Sequence, residues 1–151
     1  MAGLFVWVFG AALFSGAIWV FRDAGHYYYP LYQFTGEQLA SGSPALWNPY
    51  ENLGMPLAAN PTSALFYPPA WIFALPIDPP WAYRLYVLGH VVLALGATYG
   101  LARRWNASPG ASTAAAVSYV FCGNVLYQVC NVVFLVGAAW MPLALLAADR
   151  M

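Results

Sequence analysis

Residues 2–21 (AGLFVWVFGAALFSGAIWVF) contain no charged side chain. Twenty helical residues rise about 30 Å, one hydrocarbon thickness, so this stretch is long enough to cross a bilayer. Three more apolar runs follow: Leu85–Ala102, closed by Arg103-Arg104, then about Ala111 to Tyr127, then about Val132 to Ala148, closed by Asp149-Arg150. Lipid offers the backbone no hydrogen-bond partner, so each run is expected to be helical. Pro142 falls inside the fourth run, where a kink is expected and tolerated. Composition points the same way: 62% of the 151 residues are hydrophobic and 7% are charged, against about 25% charged in a soluble domain. There is no Lys, which leaves no basic cluster for nucleic acid. The expected fold class is all-α, a polytopic transmembrane helical bundle of about four spans. A long structured outer loop, residues 22–84, completes a single membrane domain over 1–151.

Charge sets the expected orientation. A cytoplasmic N-terminus places Arg103, Arg104 and Arg150 inside and only Arg22 and Arg84 outside, the arrangement the positive-inside rule favours. The first run lacks the positive flank and small-residue cleavage site of a signal peptide and reads as an uncleaved anchor. Cys122 and Cys130 are eight residues apart, about 12 Å along one helix, too far for a disulfide. Both read as packing residues. Gly89, Gly96 and Gly100 form a small face suited to helix packing. His90, inside the second span, is either a functional group or a structural hydrogen-bonder. Asn124, Gln128 and Asn131 either join helices or line a polar cavity.

The outer loop holds ten of the twelve Pro and four of the five acids, with too many aromatics for a disordered segment. Residues 26–41 (HYYYPLYQFTGEQLAS) suit a short interfacial helix, with Tyr28, Leu31, Tyr32 and Leu39 as apolar contacts. Residues 46–61 are dense in turn formers. Residues 64–77 (ALFYPPAWIFALPI) are apolar but too short to span, and read as interfacial or re-entrant. Asp23 directly follows the first span. It is either a boundary charge solvated by headgroups, with Arg22 snorkelling, or a general base or metal ligand at the membrane surface.

The string Asp23-x2-His26-Tyr27-Tyr28-Tyr29-Pro30, followed by Trp47-Asn48-Pro49-Tyr50, Gly54-Met55-Pro56-Leu57, Asn60-Pro61 and Phe66-Tyr67-Pro68-Pro69, resembles the N-terminal part of the YfhO family of bacterial membrane proteins. Arg103-Arg104 and Trp140-Met141-Pro142-Leu143 fit the same pattern. The resemblance implies a GT-C type glycosyltransferase in the bacterial cytoplasmic membrane. Such an enzyme moves a sugar from a polyprenyl-phosphate carrier to an extracytoplasmic acceptor, a cell-envelope glycan or polymer. By position, Asp23 is the catalytic acid of that class, and it is the expected ligand if a divalent cation, Mg or Mn, is used. The His that similar proteins carry between the third and fourth spans is missing from Gln128-Val129-Cys130-Asn131. Arg22 and Arg84 suit phosphate recognition as well as boundary anchoring. Trp47, Tyr50, Tyr67 and Trp71 suit sugar stacking or an aromatic belt. Glu37 and Glu51 read as solvated, and Asn48, Pro49, Gly54 and Pro56 as fixing the loop's shape. Four spans are few for a complete enzyme of this class, so a fragment inactive alone is expected. The alternative is a non-enzymatic membrane assembly factor or a transporter fragment.

Overall fold

The computed structural model describes residues 2–14, 21–43, 46–149 and 151. Residues 15–20 of the expected first span, together with Pro44 and Arg150, lie outside the described residues. The protein is mostly helical, with one short hairpin. In order, it runs through helix α1 (Ala2–Phe14), a π-turn (Ala24–Tyr28), α2 (Tyr29–Ala40), strands β1 (Trp47–Asn48) and β2 (Met55–Pro56), and 3-10 turns at Pro61–Ser63 and Pro68–Ala74. It continues through α3 (Pro79–Arg104), α4 (Pro109–Val120), α5 (Gly123–Tyr127), a 3-10 turn (Gln128–Cys130) and α6 (Val132–Ala148). These elements gather into two compact units. One comprises 1–19 and 87–151, the other 20–86, and the division falls within α3.

Of the described helices, α3 is long and apolar enough by itself to cross a membrane. It begins six residues before the expected Leu85, because Pro79 and Pro80 occupy its first turn, where a missing N–H costs nothing. The Asp78 carbonyl accepts from Trp81 and Ala82 N–H at 2.8 and 3.0 Å and starts the ladder. The third expected span is broken. Cys122 is extended (φ −67, ψ 150), so the chain leaves α4 and restarts at Gly123, and the two pieces, Pro109–Val120 and Gly123–Cys130, bend by 41°. The fourth is the helix α6 over the expected residues, apolar but only 17 residues long. The described part of α1 is 13 residues.

Within the first unit, α6 contains a proline whose consequence is met by another helix. Pro142 has no N–H to give the carbonyl four residues back, that of Ala138. The Tyr119 hydroxyl of α4 donates to this carbonyl at 2.8 Å. The far ends of α3 and α6 are tied at the surface. Arg104 Nε donates to Asp149 Oδ2 at 2.8 Å, and Trp105 Nε1 to Asp149 Oδ1 at 3.4 Å. A Cβ on Gly100 would make an ordinary contact with the Leu146 side chain at 3.6 Å, and one on Gly89 or Gly96 would meet nothing within 4 Å among the described residues, so none of the three needs glycine for close packing there. Cys122 and Cys130 are both free thiols, and His90 is buried.

In the second unit the core is aromatic. Leu31, Tyr32, Thr35 and Gly36 form the buried face of α2. Tyr32 packs on Phe73 at 5.3 Å between ring centroids and on Tyr86 at 5.5 Å, and Tyr29 packs edge-on to Tyr83 at 5.4 Å. Residues 64–77 carry the 3-10 turn Pro68–Ala74 against α2. The fit is close: a Cβ on Gly36 would lie 2.7 Å from Phe73 Cβ, so only glycine lets the two backbones meet here.

Candidate functional site

The turn-forming stretch 46–57 closes as a hairpin, with Trp47 opposite Pro56 and Asn48 opposite Met55. Asn52, Leu53 and Gly54 all take positive φ in its loop. Gly54, at φ +107, is the position that requires glycine: a Cβ there would lie 2.6 Å from the Trp47 indole. Asn48 is 6% exposed and shapes the turn with both ends of its amide. Its Oδ1 accepts from the Tyr50 N–H at 3.0 Å, and its Nδ2 donates to Glu51 Oε2 at 3.3 Å. Tyr50 is thereby stood against Phe34 of α2, rings perpendicular with centroids 5.6 Å apart.

Between the hairpin and the start of α2 lies a cleft of about 360 Å³. It is lined by His26, Tyr27, Pro30, Leu31, Phe34, Asn48, Tyr50 and Glu51. Its floor is fixed by a three-residue network. Asn60 caps the Pro61–Ser63 turn by accepting from Thr62 N–H at 3.0 Å and donates from Nδ2 to the Tyr27 hydroxyl at 3.2 Å. That hydroxyl also shares a proton with Thr62 Oγ1 at 2.8 Å. Pro61 follows the cap, where its missing N–H is harmless.

Asp23 is exposed and does not cap the π-turn it precedes. The Arg22 carbonyl takes the N–H groups of Gly25 and His26 instead. Arg22 itself is exposed and left-handed, at φ 53, a conformation costly for a residue with a Cβ. The turn begun at Asp23 carries His26 and Tyr27 into the cleft wall. Arg84 is 3% exposed, its guanidinium 4.6 Å from the centre of the Trp81 ring, a cation–π contact. Trp47 and Trp71 are exposed, and Trp71 Nε1 donates to the Leu65 carbonyl at 3.0 Å. Tyr67 is half-buried beside Tyr86, at 6.3 Å. Glu37 is exposed and accepts from Gln33 Nε2 at 3.1 Å. Thus Tyr50 and Glu51 reach the cleft, whereas Arg84, Tyr67 and Trp47 are not among its lining residues.

The Tyr29 and Tyr32 hydroxyls are harder to ionise than usual. Burial raises Tyr29, with a smaller contribution from the Asp78 carboxylate. Burial also raises Tyr32 well above the ordinary phenol value, only partly offset by the neighbouring Tyr86 hydroxyl. The Tyr32 hydroxyl makes no hydrogen bond of acceptable geometry. Among the described residues no group of three or more His, Cys, Asp or Glu side chains converges to hold a metal ion. Asp23 would bring a single carboxylate to such an ion.

The class these features define is a mostly helical protein with one described helix long and apolar enough to cross a membrane. No protein-family model, curated protein or solved structure matches the chain.

Proposed function

We propose that this protein is part of a GT-C type membrane glycosyltransferase that transfers a sugar from a polyprenyl phosphate to an acceptor outside the cytoplasmic membrane. In this reading the helical runs form about four spans with the N-terminus inside, and the loop 22–84 is extracytoplasmic. The observation that carries the reading is Asp23: an exposed carboxylate, uncommitted to its own turn, at the first residues of that unit. The strained Arg22 beside it supports a functional origin, since such strain persists where the surroundings impose it.

Asp23 acts as the general base. The acceptor hydroxyl gives its proton to the carboxylate as its oxygen bonds to the anomeric carbon. The bond from that carbon to the phosphate oxygen breaks, and polyprenyl phosphate leaves. Arg22, exposed next to Asp23, meets the phosphate. Arg84, buried over Trp81, holds the start of α3, and Trp47 offers an open ring face at the membrane surface.

The test is made in the native host, with the chromosomal copy replaced by Asp23→Asn. The envelope glycan should lose its sugar substituent while the protein persists in the membrane fraction at its normal level. Near-normal transfer by the Asn variant would remove Asp23 from this role and favour a scaffold.

A further inference from the structure

The cleft between the hairpin and α2 has a chemistry of its own, separate from the transfer reading. Three of its walls are aromatic: Tyr27, Phe34 and Tyr50. Phe34 and Tyr50 stand at 88° to one another, forming a corner rather than a flat platform. One acidic residue, Glu51, lines the same space, and among the described residues neither Arg nor Lys does. A phosphate or any other anion is therefore disfavoured there.

A neutral polyhydroxylated ring would bring no charge to meet Glu51. The Asn48 amide oxygen accepts from the Tyr50 N–H and its nitrogen donates to Glu51, which leaves one N–H on that nitrogen. The Tyr27 hydroxyl is engaged by both Asn60 and Thr62. Pro30, Leu31 and Phe34 offer no polar atom. For a ligand there remain Glu51 Oε1, the His26 imidazole, the Tyr50 hydroxyl and the second Asn48 N–H, and of these Glu51 alone carries a full charge at neutral pH. An organic cation needs neither donors nor many acceptors. Its charge is met by a carboxylate and by the negative faces of aromatic rings, and its methyl or methylene groups pack on those rings.

We propose that this cleft is a binding site for a small organic ammonium group, caged by Tyr27, Phe34 and Tyr50 and neutralised by Glu51. Two sources carry that group outside a membrane: an aminophospholipid headgroup and a soluble or glycan-borne amine. The proposal does not depend on the transferase reading.

The test uses the full chain in nanodiscs of phosphatidylglycerol, which contributes no ammonium. Tetramethylammonium is the probe and tert-butanol its uncharged counterpart, both followed by saturation-transfer difference NMR of their methyl protons. The cation should give a saturable signal and tert-butanol none. Glu51→Gln, which keeps an oxygen for Asn48, and Tyr50→Ala should each weaken the cation by about two- to fivefold. Asp23→Asn should leave its binding unchanged. Equal signals from the two probes, no cation signal, or full affinity in both cleft variants would overturn the proposal. Replacing half the lipid with phosphatidylcholine then assigns the source. Displacement of the probe supports a lipid headgroup, and undiminished binding supports a soluble or glycan-borne amine.

Discussion

Tyr119→Phe removes one oxygen, and its cost follows from Pro142. In a continuous helix the Ala138 carbonyl would receive the N–H of residue 142, which proline lacks. The Tyr119 hydroxyl supplies the missing donor at 2.8 Å. Without it the carbonyl, at a part-buried position, loses that donor. A buried acceptor left unpaired costs about 1–3 kcal/mol, although polar pairs within membrane bundles average nearer 0.6 kcal/mol. The expected loss for Tyr119→Phe is therefore about 1 kcal/mol. In a Pro142→Ala background the helix supplies its own N–H to Ala138, and the same change should cost under about 0.5 kcal/mol. The four proteins form a double-mutant cycle, read by equilibrium unfolding in mixed micelles with tryptophan fluorescence. The predicted coupling is positive, about 0.5–1 kcal/mol. A Phe variant as stable as the parent, or equal losses in both backgrounds, would refute the idea that the tyrosine compensates for the proline.

Gly36→Ala pushes a methyl group toward the Phe73 backbone and side chain. It should destabilise the unit 20–86 by about 1–3 kcal/mol despite alanine's better helix propensity, whereas Gly89→Ala, which enters open space, should stabilise α3 by up to about 1 kcal/mol; thermal unfolding of the two variants side by side checks both signs. The raised pKa of Tyr32 makes stability pH-dependent at the alkaline end. Its contribution is whole below pH 10.0, the unfolded value, and falls by about 1.4 kcal/mol per pH unit above it, because the unfolded phenol then releases a proton that the folded one keeps. Tyr32→Phe should flatten that slope without a loss at neutral pH, since the hydroxyl makes no well-formed hydrogen bond, and denaturant titrations at pH 8 and 11 measure the difference.

The helical character of the chain was legible because charge-free runs ending in Arg or Asp leave few alternatives. Residues 132–148 form the helix that their apolar run predicts. The bond that makes Pro142 tolerable was hidden, because it joins positions nineteen residues apart on different helices. The early start of α3 has a visible signal in Pro79-Pro80, but Arg84 separates that pair from the uncharged run. The break at Cys122 had a weaker one in Gly123. The 3-10 form of Pro68–Ala74 was less legible: the Pro68-Pro69 pair starts it, but the packing of Phe73 on Tyr32 that holds it against α2 joins distant positions. The Asn48-Pro49 and Gly54 turn signals marked the hairpin's loop, but two-residue strands are too short to show alternation. Tyr50 stood out as an aromatic, yet its meeting with Phe34, Glu51 and His26 depends on hairpin folding that no spacing rule foretells.

The account rests on residue 23 facing the outside of the cell. On a background with Cys122 and Cys130 replaced by Ala, Asp23→Cys and Gly110→Cys can each be probed with a membrane-impermeant maleimide on intact cells and again after permeabilisation. Position 23 is expected to label in intact cells, and position 110, in the first turn of α4 just after Arg103-Arg104, only once the membrane is opened. Labelling of 110 but not 23 in intact cells would contradict the account, leaving Asp23 on the side where no extracytoplasmic acceptor could reach it.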